Sequence, residues 1–458
     1  MSIITNFKNL ATNPIRKKAF LIAEAGYAAI DIAKIVNQII KLKDDKLSIR
    51  NAMLEHSTDL DNYKKVFLIG IGKGSALACT TLAKILGKKL TKGIVLDIQR
   101  PNFQFRPSGD LPQAKTISNF QFLTGTHPIP SIKNVIATKK IIDLAKNASK
   151  DDLIITFICG GGSALLCGSN EELKYSKIVF SELTMAGADI LELNTVRKHL
   201  SEIKAGGLAK IAYPATVVSL IVSDVIGNDL SMVASGPTVH DKTFKKDAEK
   251  IIRKYQHKSA NLSALISVLK ETPKDKKYFK KVENILFLSN REPILAMAEK
   301  AKEIGFKPKI YSLKIHGEAK NALLPLLKEL RKGEILLAAG ETTVTLKSQI
   351  SNLKSQKLGK GGRNMEAVLG AIAQIPNSKF QIPNDLTLLS LASDGRDNTE
   401  AAGAIGDTLT LKKARGIKLN LQNYLIHHNS FNFFKKTDDL VFTKPKTFNV
   451  SDLMLILK

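Results

Sequence analysis

Six short stretches hold the residue types that chemistry needs: "GIGKGS" (70–75), "CGGGS" (159–163), "SDVIGND" (223–229), "AAGETT" (338–343), "GKGGRN" (359–364) and "SDGRD" (393–397). Two set a cation beside glycines and two carry paired acids. That mix suits phosphoryl transfer. Backbone N–H groups unobstructed by Cβ atoms, helped by Lys or Arg, hold phosphate oxygens, while carboxylates hold Mg²⁺ or take a hydroxyl proton. One glycine would suffice for a strand-to-helix turn, and three cost extra backbone entropy. Anion binding by Gly160, Gly161, Gly162 and Ser163 is therefore the stronger reading of the triple glycine.

The other residues keep two readings each. "GIGKGS" is neither a Walker A loop nor a G-x-G-x-x-G fingerprint, so Lys73 is a solvated loop lysine or a phosphate ligand. Arg363 follows two glycines and opens a helix; its planar fork reaches a phosphate or lies on the surface. Asp224 and Asp229 flank Gly227, and Asp394 and Asp397 flank Gly395; acids so placed also serve as turn-formers. Glu341, directly after a buried strand, has capping as its alternative. His127, before Pro128, reads as a turn residue rather than a base. A serine hydrolase is excluded at Ser163, because Leu165 stands where G-x-S-x-G needs glycine.

These stretches follow short apolar runs. "KKVFLIG" (64–70), "KGIVLDI" (92–98), "DLIITFICGGG" (152–162) and "TVVSLIVSDV" (216–225) alternate with helical patterns, which predicts βαβ units in a parallel sheet. Ligands bind outside the carboxyl ends of such strands. Residues 14–56 read as helical, with another helix around 132–147. A Lys-rich helical stretch, 241–281, marks a domain boundary, giving domains 1–240 and 241–458. The second α/β series is "NILFLSN" (284–290), helix 292–304, "KPKIYSL" (307–313), helix 317–332, "EILLAAGETTVTL" (334–346), helix 363–374 and "DLTLLSLASDG" (385–395). The polar stretch 347–362 reads as a mobile loop.

Bulk properties bound the function. A chain of 458 residues holds two or three domains. Its net charge of +27 comes mostly from scattered lysines. With no Trp and 6% aromatics there is little to stack on bases, so the charge reads as a solvated surface that also attracts anionic substrates. Cys79, Cys159 and Cys167 form no CxxC pair, which fits a reduced protein without disulfides or zinc. No apolar run has membrane length and the N-terminus lacks a signal pattern, so a cytoplasmic location is expected.

Together the stretches resemble the glycerate 2-kinases, which join an N-terminal α/β domain to a C-terminal MOFRL domain. The resemblance runs from about residue 14 to 458. It rests on "GIGKGS", "THPIP" (126–130), "CGGGSALL", "NTVRKHLSEIKAGGLA" (194–209), "SDVIGND", "ASGPTV" (234–239), "GETTVT" (341–345 at its core), "GKGGRNMEAVLGA", "SDGRD" with "AAGA" (401–404), and "NVSD" (449–452), in this order. It implies a Rossmann-like N-terminal domain with a mainly parallel sheet, a MOFRL region at about 334–452, and an active site in the interdomain cleft. The implied reaction is ATP-dependent phosphorylation of D-glycerate at its 2-hydroxyl, by a monomer or homodimer with no specific nucleic-acid or membrane partner. Lys73 and Arg363 correspond to active-site residues of the family. Gly160–Ser163, Arg197 and Glu341 would bind substrate or phosphate, and Asp224, Asp229 and Asp394 would serve Mg²⁺, with Asp224 or Asp394 as base.

Departures from the family pattern are Met365 for a common Gln, Ser131 and Ile132 for acids, Glu400 in a stretch one residue short, and bulky residues at Lys446–Phe448. Hydroxypyruvate reduction is the enzyme alternative, weakened by the missing G-x-G-x-x-G. A nucleic-acid-binding protein is supported by charge alone.

Overall fold

The period of the apolar residues changes at Ile40. Asn13 caps the helix Pro14–Ala28 by accepting from the Arg16 N–H, and a second helix covers Ile32–Ile39. Then three antiparallel strands follow: β1 (Ile40–Lys43), β2 (Lys46–Arg50) and β3 (Glu55–Asp59). The expected helical stretch 14–56 is thereby corrected. Ile40 pairs with Ile49 and Leu42 with Leu47, so apolar residues alternate at period two. Asp44 and Asp45 supply the two-residue turn at φ 48° and 59°. The computed structural model describes residues 2–50, 55–99, 119–346, 359–374, 386–444 and 449–458.

Six strands form the first large sheet: β4 (Lys65–Ile71), β5 (Leu90–Asp97), β6 (Phe120–Thr124), β7 (Asp152–Ile158), β8 (Thr216–Val222) and β9 (Val282–Leu288). Its order is β6-β5-β4-β7-β8-β9, and the pairings from β6 to β8 are all parallel. Residues of β4, β7 and β8 are buried almost throughout, as strands covered on both faces must be. This is the doubly wound order 3-2-1-4-5-6, which reverses between β4 and β7. "GIGKGS" leaves β4 and "CGGGS" leaves β7, so both loops sit at the switch point.

The switch point depends on Gly72. Its φ is +105°, and a Cβ there would lie 2.3 Å from the Cys159 carbonyl oxygen. Gly72→Ala is expected to lower the urea midpoint well below that of Gly87→Ala, also at positive φ, whose Cβ meets nothing within 4 Å. Equal midpoints for the two variants would refute the close approach.

The chain divides into two compact units: Ile32–Ser223 with Asp229–Phe287, and Met1–Asp31 with Asp224–Asn228 and Leu288–Lys458. The expected boundary near 240 differs from this division. Ala248, Ile252 and Tyr255 of the helix Lys245–Tyr255 share an apolar cluster with Leu193, Val196 and Leu200, and Lys198 forms a buried ion pair with Asp241 at 3.1 Å. The Lys-rich stretch thus completes the unit of the parallel sheet.

The other unit has a mixed sheet, in the order β10-β11-β15-β12-β13-β14. Its strands are β10 (Lys307–Ile315), β11 (Glu334–Gly340), β12 (Thr387–Ala392), β13 (Gly403–Asp407), β14 (Leu440–Val441) and β15 (Asp452–Leu457). Only β10 and β11 are parallel; β15 runs between β11 and β12, antiparallel to both. Met365, Val368, Leu369 and Ile372 of the helix Arg363–Gln374 pack with Leu336, Leu388, Met454 and Ile456. The expected helix 317–332 is instead a 3₁₀ turn, Ala319–Asn321, and a short helix, Leu324–Glu329. Pro325 explains the restart: it sits in the first turn of the second piece, where its missing N–H costs nothing.

Met1–Asp31 belongs to this second unit. Gly26 lets Met297 approach where a Cβ would be 2.8 Å away, and buried Arg16 bonds Asp407 through Nε and Nη2 and Asp439 through Nη1. Of the expected mobile loop, 347–358 lies outside the described residues. Gly359–Gly362 is held in place: the Gly359 N–H donates to His427 O at 2.9 Å, and the Phe431 N–H to Lys360 O at 3.0 Å.

Candidate active site

In the parallel-sheet unit two backbone bonds splice the switch-point loops. The Lys73 N–H donates to Gly160 O at 3.0 Å, and the Cys159 N–H to Ile71 O at 2.8 Å. Asp97, ending β5, braces the first loop: Oδ2 accepts from the Ala76 N–H at 3.1 Å and Oδ1 from the Ile98 N–H at 2.6 Å. Burial pushes the Asp97 pKa up to about 6, against the lowering by these N–H groups.

The glycine loop is a surface without Cβ atoms. A Cβ on Gly161 would lie 3.1 Å from both Cγ and Cε of Lys73 and 3.3 Å from Cδ2 of His127. One on Gly162 would lie 2.4 Å from the Ala234 Cβ. Ala234, Ser235 and Gly236 all have left-handed φ, 51°, 59° and 60°, a strained turn that brings Ser235 Oγ to 2.8 Å from Ser163 Oγ. Strain of this kind collects at functional sites.

Two cations face this loop's surroundings. Arg197, on the helix Ile190–His199, stacks 5.9 Å from the Phe180 ring centroid, and burial lowers its pKa. Neither Lys73 nor Arg197 has a carboxylate partner among the described residues. His127, three residues beyond β6, completes the group. Its pKa is pushed down to about 4, first by burial and then by Lys73 and Arg197. The side chain keeps an open face to solvent, so burial acts on only part of the ring, and the two cations reinforce its direction. The structure therefore brings Lys73, Gly160–Ser163 and Arg197 together, and it adds His127, which the sequence had suggested only as a turn residue. Two cations and an imidazole whose pKa is pushed down leave this part of the parallel-sheet unit locally positive.

In the mixed-sheet unit Arg363 meets acids. Its Nε donates to Asp452 Oδ2 at 2.6 Å, Nη2 to Asp452 Oδ1 at 3.1 Å, and Nη1 reaches Glu341 Oε1 at 2.7 Å. Asp452 is fully buried. Burial alone would lower the Arg363 pKa, but Asp452 and Glu341 outweigh it and raise it. Glu341 keeps 39% of its side chain exposed; its pKa is pushed up to about 7 by burial, with Arg363 opposing and Asp452 and Asp224 adding to the rise. Glu341 is thus an ion-pair partner, not a cap.

Asp397 anchors the helix carrying Arg363. Its carboxylate accepts from the N–H groups of Asn364 at 3.1 Å and Met365 at 2.8 Å, the favourable place for an acid on a helix. Burial pushes its pKa up to about 7 despite these bonds. Gly362 permits this, since a Cβ there would lie 2.1 Å from Asp397 O.

Of the remaining acids, Asp224 acts on Glu341 alongside Asp452, and Asp394 acts on Tyr27 alongside Asp452 and Asp397. Asp224 accepts from the Ser451 hydroxyl at its carbonyl, 3.0 Å, and Asp394 Oδ1 accepts from the Arg396 N–H at 3.0 Å. Asp229, in the other unit, accepts from the Ser231 N–H at 2.9 Å, a turn-forming bond. Among the described residues no group of three or more His, Cys, Asp or Glu side chains is arranged to hold a metal ion.

Asp452 is a residue that sequence reasoning passed over: it stood in "NVSD" without an assigned role, and Asp397, read there only as one of a pair of loop acids, is instead the anchor of a helix. Of the departures, Met365 is a buried core residue, Glu400 pairs with Lys360 at 2.6 Å, and Ser131 opens the helix Ile132–Lys146. Pro445–Phe448, including the bulky 446–448 segment, lies outside the described residues.

Two family models match the chain: DUF4147, a domain of unknown function, over residues 18–270, and the MOFRL family over 334–452. The chain is 31% identical over 438 residues to a D-glycerate 2-kinase of Thermotoga maritima, covering 93% of this chain and 98% of that one. It is 33% identical over 404 residues to a putative hydroxypyruvate reductase of Agrobacterium vitis, covering 85% and 98%. A solved glycerate kinase structure from Thermotoga maritima matches it with a TM-score of 0.75 at 29% identity, covering 96% of this chain and 98% of that one. A doubly wound sheet with glycine loops at its switch point, followed by a mixed MOFRL sheet, defines a class of two-domain α/β proteins. Within that class the chain belongs to the glycerate 2-kinase family.

Proposed function

We propose that the protein transfers the terminal phosphoryl group of ATP to the 2-hydroxyl of D-glycerate, giving 2-phosphoglycerate and ADP. The observation that carries this is the pair of cations without acid partners, Lys73 and Arg197, beside the Cβ-free Gly160–Gly162 loop. Both substrates are anions, and transfer between them demands positive charge fixed in advance where negative charge gathers. Arg363, held by Asp452 and Glu341, is the proposed cation of the mixed-sheet unit, and the names of the relatives support the substrate.

Mg²⁺ fits the acids present. In such enzymes it is held by one or two carboxylates together with phosphate oxygens, not by an all-protein cage; Asp224 and Asp394 are the proposed carboxylates. When bound, the ion neutralises charge between nucleotide oxygens. Among the described residues no helix is long and apolar enough to cross a membrane, and we place the enzyme in the cytoplasm.

The reductase reading is favoured by the Rossmann strand order and the names of two relatives. Against it, the acid ending the second strand of the order, which in dinucleotide sites holds a ribose hydroxyl, is Asp97, whose oxygens accept from Ala76 and Ile98. The test is ADP release from ATP with and without D-glycerate, with excess EDTA in one arm, beside NADH absorbance with hydroxypyruvate. Glycerate-dependent, EDTA-sensitive ADP release and a flat NADH trace are expected. Oxidation of NADH without ADP release would replace the kinase by the reductase.

A further inference from the structure

We propose that His127 is the general base that takes the proton of the glycerate 2-hydroxyl, an inference that rests on the kinase reading above. Lys73 and His127 lie against the same face of Gly161, 3.1 and 3.3 Å from where its Cβ would stand. Arg197 acts on the same ring from the helix Ile190–His199. The three side chains come from three separate segments and converge on one loop. Lys73 and Arg197 are the charged groups acting on the imidazole; Gly160–Ser163 and the turn Val233–Ser235 carry none.

Two cations suit the carboxylate of a small acid. The 2-hydroxyl sits on the carbon bonded to that carboxylate, and the 3-hydroxyl one carbon further away. A base next to the cations that hold the carboxylate therefore meets the 2-hydroxyl before the 3-hydroxyl, in keeping with the proposed product. In the step, the hydroxyl O–H bond breaks and its proton goes to an imidazole nitrogen. The oxygen forms a bond to the terminal phosphorus of the nucleoside triphosphate, and the bond from that phosphorus to the bridging oxygen breaks, leaving ADP with the electron pair. The imidazolium then gives its proton to solvent.

Charge keeps this base ready. Without substrate, burial and the two cations hold the ring neutral down to about pH 4. A bound carboxylate offsets Lys73 and Arg197, so the basicity of the ring recovers when the hydroxyl arrives.

The experiment uses the full chain, with His127→Gln and His127→Asn. Readouts are D-glycerate-dependent ADP release against pH, KM for D-glycerate, product identity by phosphorus NMR, and melting. In the wild type an acid limb is expected in kcat/KM near pH 4, moved to higher pH in kcat. In the variants kcat is expected to fall about 10²–10⁴-fold, with KM changed by less than roughly threefold and the limb of kcat lost. The absence of both limbs in the wild type overturns the proposal whatever the variants do. So does a raised KM at unchanged kcat, which makes His127 a binding residue, or a 3-phosphorylated product. Wild-type enzyme without glycerate-dependent ADP release sinks the kinase reading, and His127's role with it.

Discussion

Arg363→Ala is expected to cost about 3–5 kcal/mol of folding stability, as breaking a buried ion pair does, and to abolish activity as a consequence. The reason is Asp452, fully buried and bonded at both oxygens by this one guanidinium. Glu341 and Asp397 lie nearby, so the variant leaves three acids around a missing cation. Arg363→Lys keeps the charge but cannot span both Asp452 oxygens, and an intermediate loss is expected. Asp452→Asn added to Arg363→Ala is expected to recover part of the stability, since the buried charge goes too. The measurement is urea unfolding of the four proteins. An Arg363→Ala midpoint equal to wild type would remove Arg363 from the structural centre assigned to it.

Lys73→Met is expected to behave in the opposite way. Lys73 has no carboxylate partner among the described residues, so its loss leaves no acid bare. Methionine keeps the apolar stem against Gly161. Melting should stay at the wild-type value. The expected fall in kcat/KM is about 10²–10³-fold, or about 2.7–4 kcal/mol, the usual effect of removing one preorganised charged group, with KM for D-glycerate raised because its carboxylate loses a cation. Binding of D-glycerate, followed by calorimetry, should weaken in parallel. Near-normal turnover, or destabilisation as large as that of Arg363→Ala, would show that Lys73 is not a ligand cation. The two lysine and arginine motifs look alike as sequence, yet one cation has no carboxylate partner among the described residues and the other is held by two.

That difference marks the limit of what the chain reveals before it folds. β4, β7 and β8 were legible because a strand buried on both faces must be a short, continuous apolar run, and glycines after such runs pointed to the switch point. The helix Arg363–Gln374 was legible from its apolar period. β15 is as apolar as these, but its place between β11 and β12 comes from pairing with strands about 65 and 115 residues earlier, which no local pattern encodes. β1 and β2 were hidden because Ile40 and Leu42 extend the helical spacing before it until the two aspartates turn the chain. Asp452 escaped for a similar reason: its meaning is set by Arg363, 89 residues away in sequence. His127 had a local explanation in the following proline, and only the approach of Lys73 and Arg197 gives it another.

The division of the chain also orders events during synthesis. The parallel-sheet unit is complete once Phe287 has been made, and it can fold while the rest is still being translated. The mixed-sheet unit cannot, because it begins with the helix Pro14–Ala28 and needs β15, the strand Asp452–Leu457, at the interior of its sheet. At roughly 5–20 residues per second, the first helix waits tens of seconds for the strand that closes its unit. Throughout that interval its buried face, with Phe20, Ile22 and Tyr27, has no finished core to enter. A nascent chain stalled beyond Phe287 but short of β15 would hold a folded parallel sheet and an unprotected amphipathic helix, the segment on which a ribosome-associated chaperone would act.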